Sequence, residues 1–165
     1  MPAAKKVAST ESPAKQLEGF IAKYDPTVAK LARACRAAMR KKLPTANELV
    51  YDNYQFLAIG YCSTERASDA LLSLAVSPKG VALCMSYGAA LPDPDKIMYG
   101  GGNQVRFVKI ESAKSLDAPA VNALIRAADA HGRVSLPRTG KGTLIIKAIS
   151  AKQRPRRPLV TPKKK

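Results

Sequence analysis

Leu71-Leu72-Ser73-Leu74-Ala75-Val76-Ser77 and Val81-Ala82-Leu83-Cys84-Met85-Ser86 stand on either side of Pro78-Lys79-Gly80. Both runs are short and apolar, and the residues between them are turn formers. Proline presets φ and glycine permits positive φ, so the connection is tight. The pattern predicts a β-hairpin in the middle of the chain. Upstream, Leu49 to Asp52 and Gln55 to Cys62 read as two more strands, with Phe56, Ala58 and Gly60 alternating against Leu57, Ile59 and Tyr61. A polar loop, Ser63 to Asp69, separates them from the hairpin. Downstream, Pro92-Asp93-Pro94 and Gly100-Gly101-Gly102 bracket a long loop before a strand from Gln104 to Ile110. A final strand runs from about Thr143 to Ile149, with Lys147 its one charged residue.

Helices flank this β-rich centre. Leu17, Phe20, Ile21 and Tyr24 recur at helical spacing. Asp25-Pro26 then opens a second helix, because aspartate caps well and proline suits a first position whose N–H has no partner. That helix should run to Lys42, burying Val28, Leu31, Ala32, Cys35 and Met39. Arg40, Lys41 and Lys42 crowd its last turn, where positive charge complements the helix dipole. A third helix is expected after Asp117 as its cap, with Val121, Leu124, Ile125 and Ala128 on one face and His131-Gly132 at its end. Two helices, five strands, a helix and a strand predict an α+β fold: two layers, an antiparallel or mixed sheet, helices packed on one face.

The 165 residues suffice for one domain, and 46% of them are apolar, enough for a core. The net charge of +16 is uneven. Residues 17–130 carry fourteen basic side chains against eleven acidic, whereas residues 131–165 carry eleven basic and no acidic ones. Residues 1–15 therefore read as a flexible leader, 16–150 as the domain, and 151–165 as a basic, proline-rich tail. Lys152, Arg154, Arg156, Arg157, Lys163, Lys164 and Lys165 make that tail the candidate contact for nucleic acid or another polyanion. Pro155, Pro158 and Pro162 keep it extended, and its removal is expected to leave stability nearly unchanged. No Phe, Tyr or Trp follows Phe107, so the tail holds no base-stacking platform of its own.

Three widely spaced cysteines, Cys35, Cys62 and Cys84, fit neither a disulfide framework nor a zinc site and point to a reducing, cytoplasmic setting. No apolar run approaches the roughly 18 residues of a membrane span. Neither metal nor cofactor is expected, and no nucleophile–base pair is legible, so an enzyme is not expected. Gly140-Lys141-Gly142-Thr143 fails as a phosphate-binding loop, because glycine rather than serine or threonine follows the lysine.

Several segments together carry a family resemblance: the two opening helices, Glu48-Leu49-Val50-Tyr51-Asp52-Asn53-Tyr54, Leu91-Pro92-Asp93-Pro94, and Gly102 to Ile110. The ending Ser150-Ala151-Lys152-Gln153-Arg154-Pro155-Arg156-Arg157-Pro158 adds to it. Over residues 16–158 the chain resembles the YdhG-like family, also called domain of unknown function 1801. That resemblance implies a compact two-layer α+β fold. Some members are described as frataxin-like iron chaperones, which implies an iron-handling alternative, although Glu18, Asp25, Glu48, Asp52, Asp93 and Asp95 are scattered. A small-ligand site is the related alternative. Tyr51, Asp52, Asn53 and Tyr54 form the densest polar-aromatic cluster, and Arg106 beside the glycine run offers a fork for an anion. The leading expectation is a non-enzymatic binding module whose tail supplies weak, non-specific polyanion affinity.

Overall fold

The structure, a computed structural model, describes residues 11–158. Two helices open the chain: α1 (Pro13–Ala22) and α2 (Pro26–Lys42). Strands β1 (Asn47–Asp52), β2 (Leu57–Cys62), β3 (Ala70–Ser77), β4 (Gly80–Met85) and β5 (Arg106–Ile110) follow. Helix α3 (Pro119–His131) and strand β6 (Leu144–Ile149) complete the fold. The strands form one sheet in the order β5-β4-β3-β2-β1-β6. Neighbours are antiparallel except β6, which runs parallel to β1, so the sheet is mixed. The expected α+β fold with helices against the sheet is what forms.

Both opening helices start on the same device. Ser12 and Asp25 each accept a backbone N–H, from Lys15 and Thr27, and a proline follows each cap. Helix α1 thus begins at Pro13, inside the segment expected to be a leader. The buried residues of α2 are Ala29, Ala32, Cys35 and Met39, while Val28 and Leu31 are only partly covered. Its buried stripe is therefore rotated slightly from the expected one. Asp117 does not cap α3. Ala118 holds the cap position without a side-chain bond, and the Asp117 carboxylate instead receives Lys42 Nζ at 2.7 Å.

Strand pairing sorts the side chains into two faces. Val108, Leu83, Leu74, Ile59, Val50 and Ile146 form one continuous row beneath the helices, joining the helical residues in a single core. The opposite face carries Lys109, Ala82, Ala75, Ala58, Tyr51 and Ala148 in one row, and Phe107, Cys84, Ser73, Gly60, Leu49 and Ile145 in the next. Residues 63–67 and the approach to β6 close one end of that face. Ser63 Oγ donates to the Val134 carbonyl and Lys147 Nζ to that of Glu65. Gly142 enters beside Pro44, to whose carbonyl its N–H donates at 3.0 Å; a Cβ there would overlap the Ala46 carbonyl. The glycine that superficially suggests a phosphate loop is a backbone crossing.

Candidate functional site

Asp52 is the first residue of interest, and its surroundings are not those of a ligand site. Glu48, Val50 and Asp52 alternate toward the helices, which turns both carboxylates of β1 inward. Asp52 is 0% exposed. Its Oδ2 accepts Lys23 Nζ at 2.8 Å and Gln153 Nε2 at 2.9 Å, and its Oδ1 accepts Arg156 Nη2 at 2.9 Å. Every oxygen is occupied by donors of the chain itself. Glu48 is spent in the same way: Arg36 grips it through two bonds of 3.0 Å, and the Tyr61 hydroxyl donates to it at 3.1 Å. Burial, with the Glu48 charge beside it, pushes the Tyr61 hydroxyl well above the ordinary phenol range.

The segment after β6 is what completes the Asp52 cluster. The Ser150 N–H donates to the Asp52 carbonyl and the Arg154 N–H to that of Tyr54. Arg156 then inserts its guanidinium beside Asp52, donates to the Asn53 carbonyl, and lies 5.7 Å from the centre of the Tyr24 ring. The Tyr24 hydroxyl donates to the Val76 carbonyl and accepts the Leu57 N–H; burial pushes it up to about 12. Arg157 Nε donates to the Lys23 carbonyl. Residues 150–157 are therefore a strap bound to the domain, not an independent appendage, and the domain ends beyond residue 150. Arg156, expected to be a polyanion contact, is 5% exposed and serves the fold. Lys152, Arg154 and Arg157 are exposed, as a contact requires. Lys163, Lys164 and Lys165 lie outside the described residues.

The proposed partnership of Arg106 with the 51–54 cluster does not form. Arg106 stands on β5 and Asp52 on β1, four strands apart in the sheet, roughly 19 Å by strand spacing. The Arg106 guanidinium donates to the carbonyls of Gly102 and Val105, so it organises its own loop. Tyr51 points to the other face from Asp52 and is half-buried, and burial raises its hydroxyl above the ordinary value. Asn53 closes the turn to β2 by donating its N–H to Phe56, and Tyr54 is exposed. Among the described residues, no three His, Cys, Asp or Glu side chains are placed to hold a metal ion.

A different site emerges at the free end of the sheet. A groove bends around the 77–80 turn, from Val28 and Leu31 on the helical side to Ala75, Ala82 and Phe107 on the open face. Phe56 bounds it near β2, and Tyr99 stacks on Phe107 with ring centres 5.6 Å apart. A backbone bridge from Tyr99 to Phe107 fixes that stack against the sheet. Lys79, Lys109, Arg154 and Arg157 stand around the groove, with Glu111 the only acidic residue lining it among the described residues. Arg154 and Arg157 arrive there because Arg156, between them, is anchored to Asp52. Aromatic rings from residues 56 to 107 and cations from residues 79 to 157 meet only in three dimensions. Comparison of the chain with protein-family models, with curated proteins and with solved structures finds no match.

Proposed function

We propose that this protein is a non-enzymatic binding module for polyanions, with nucleic acid as the principal candidate. The observation that supports it is the groove itself: four cationic side chains to one acidic, surrounding an apolar and aromatic floor. Phosphates attract such cations and release condensed counterions on binding, which supplies affinity without base recognition. The strap contributes two of the four cations, Arg154 and Arg157, which act from a fixed position on the domain. A cytoplasmic setting belongs to the same proposal, supported by three free cysteines. Membership of the YdhG-like family also belongs to it, supported by agreement with the implied fold class. Asp52 gives no support to the ligand or iron alternative, since it is fully buried and both its oxygens are bound to donors of the chain itself.

Titration of DNA or RNA across a salt series tests the reading. Four phosphate contacts predict a log–log slope of about −3 to −4. The double substitution Arg154→Ala/Arg157→Ala should roughly halve that slope while leaving thermal stability nearly unchanged, because both side chains are exposed. Undiminished binding by the double variant would sink the groove as the site.

A further inference from the structure

We infer that the polyanion is single-stranded nucleic acid and that its bases stack on the open face of the sheet. This rests on the polyanion reading above and adds the physical form of the ligand. The groove separates its chemistry by position. Its floor on the open face consists of Ala75 and Ala82, continued by the small side chains of Ala58, Ser73 and Cys84 in the paired rows. Phe56, the residue before β2, stands at one corner of this floor near the 77–80 turn, and the Phe107–Tyr99 stack stands at the diagonally opposite corner on β5. Three strand spacings, roughly 14 Å, separate those strands. A low floor between aromatic walls admits flat rings, and Tyr99, at 52% exposure, keeps much of its surface available.

The cations stand around this floor rather than upon it. Lys109 belongs to the edge strand, Lys79 to the hairpin turn, and Arg154 to the strap. A polymer with its phosphates along the rim and its bases turned inward satisfies both parts at once. A duplex cannot, because its base faces are already stacked on one another. Its major groove also admits a helix or a two-stranded ribbon, not the face of a six-stranded sheet. A sulfated polysaccharide would meet the cations, but its saturated sugar rings offer no flat π-face to stack against the aromatic walls. Base–aromatic stacking is tolerant of sequence, so little preference among bases is expected.

The test compares four fluorescently labelled ligands on the full chain at low salt: a 12-nucleotide oligo(dT), the matching oligo(U), a 12-base-pair duplex and a heparin fragment. Single strands should bind at least tenfold more tightly than the duplex. Tyr99→Ala, at an exposed position, should weaken single-strand binding roughly five- to hundredfold, the range of one lost stacking contact. The same variant should leave heparin binding within about twofold. Phe107→Leu, checked for folding by thermal melting, should act in the same direction. The chain has no tryptophan, so Tyr99→Trp supplies a single reporter whose fluorescence a stacked base should quench. Equal affinity for single strand, duplex and heparin, with Tyr99→Ala without effect, would overturn the stacking inference and leave the polyanion reading standing. Absence of binding to all four would overturn both.

Discussion

At the scale of single residues, Asp52 joins two distant parts of the chain. It is a fully buried carboxylate that ties the end of α1, through Lys23, to the C-terminal strap, through Gln153 and Arg156. Removing one partner of a buried pair leaves the other charge uncompensated, which typically costs about 3–5 kcal/mol. Asp52→Ala should therefore lower unfolding stability by about that amount in a denaturant titration. Arg156→Met should cost less, because Lys23 and Gln153 still serve the carboxylate. Combining Asp52→Leu with Arg156→Met should recover much of the loss, since apolar replacements of a buried pair are often neutral. Lys23 then remains, but its side chain is 42% exposed and can turn to water. Additive losses in the double variant would show that the two groups do not interact. Arg156 Nε is buried without a hydrogen-bond partner, a local cost of about 1–3 kcal/mol that the Asp52 and Asn53 bonds offset.

At the scale of elements, the strap is where expectation and structure part. Its composition predicts a segment that buries little and whose removal leaves stability nearly unchanged. Yet residues 150–157 extend the line of β6 past the end of β1 and hook over the 52–54 backbone. Truncation after Ser150 should accordingly destabilise the domain by an amount comparable to Asp52→Ala, because it removes Gln153 and Arg156 together. It should also abolish most polyanion binding by taking Arg154 and Arg157 away. An unchanged melting temperature on truncation would refute the anchoring role. Gln153 and Arg156 thus affect binding at one remove: they hold the two arginines that face the groove.

At the scale of the whole molecule, one core layer holds several groups in their neutral forms. Burial raises the Cys35 thiol from 9.0 to about 11 and the Tyr24 hydroxyl from 10.0 to about 12, and it raises Tyr61 as well. The unfolded chain would ionise these groups near their ordinary values, while the folded chain resists. Their contribution to stability is therefore fully present below pH 9 and is lost as pH rises through about 11 to 12. Urea midpoints should be similar at pH 7 and 8 and fall clearly by pH 10.5. A flat midpoint over that range would mean that these groups ionise alike in both states. The sheet places this core on one side and leaves Ala58, Ser73, Ala75, Ala82 and Cys84 of its middle strands on the other, so the low floor is a consequence of the same alternation that builds the core.

The elements were legible because each rests on local physics. Alternation in β2, the proline–glycine turn between β3 and β4, and the Asp25-Pro26 cap all act within a few residues. The second cap, Ser12-Pro13, carries the same signal and would have placed α1 correctly. The inward aim of Asp52 follows from its parity with Val50, but nothing nearby names its partner. Arg156 is 104 residues away, and an ion pair across that span leaves no periodicity or spacing to read. The groove is hidden for the same reason. Phe56, Phe107 and Arg154 lie on separate stretches of chain, and only the strand order and the anchored strap bring them together. The sequence by itself determined the elements and the fold class, because hydrophobic period and turn chemistry are local. Tertiary structure alone decided which charges are spent inside and which remain at the surface, because desolvation depends on what the rest of the chain covers.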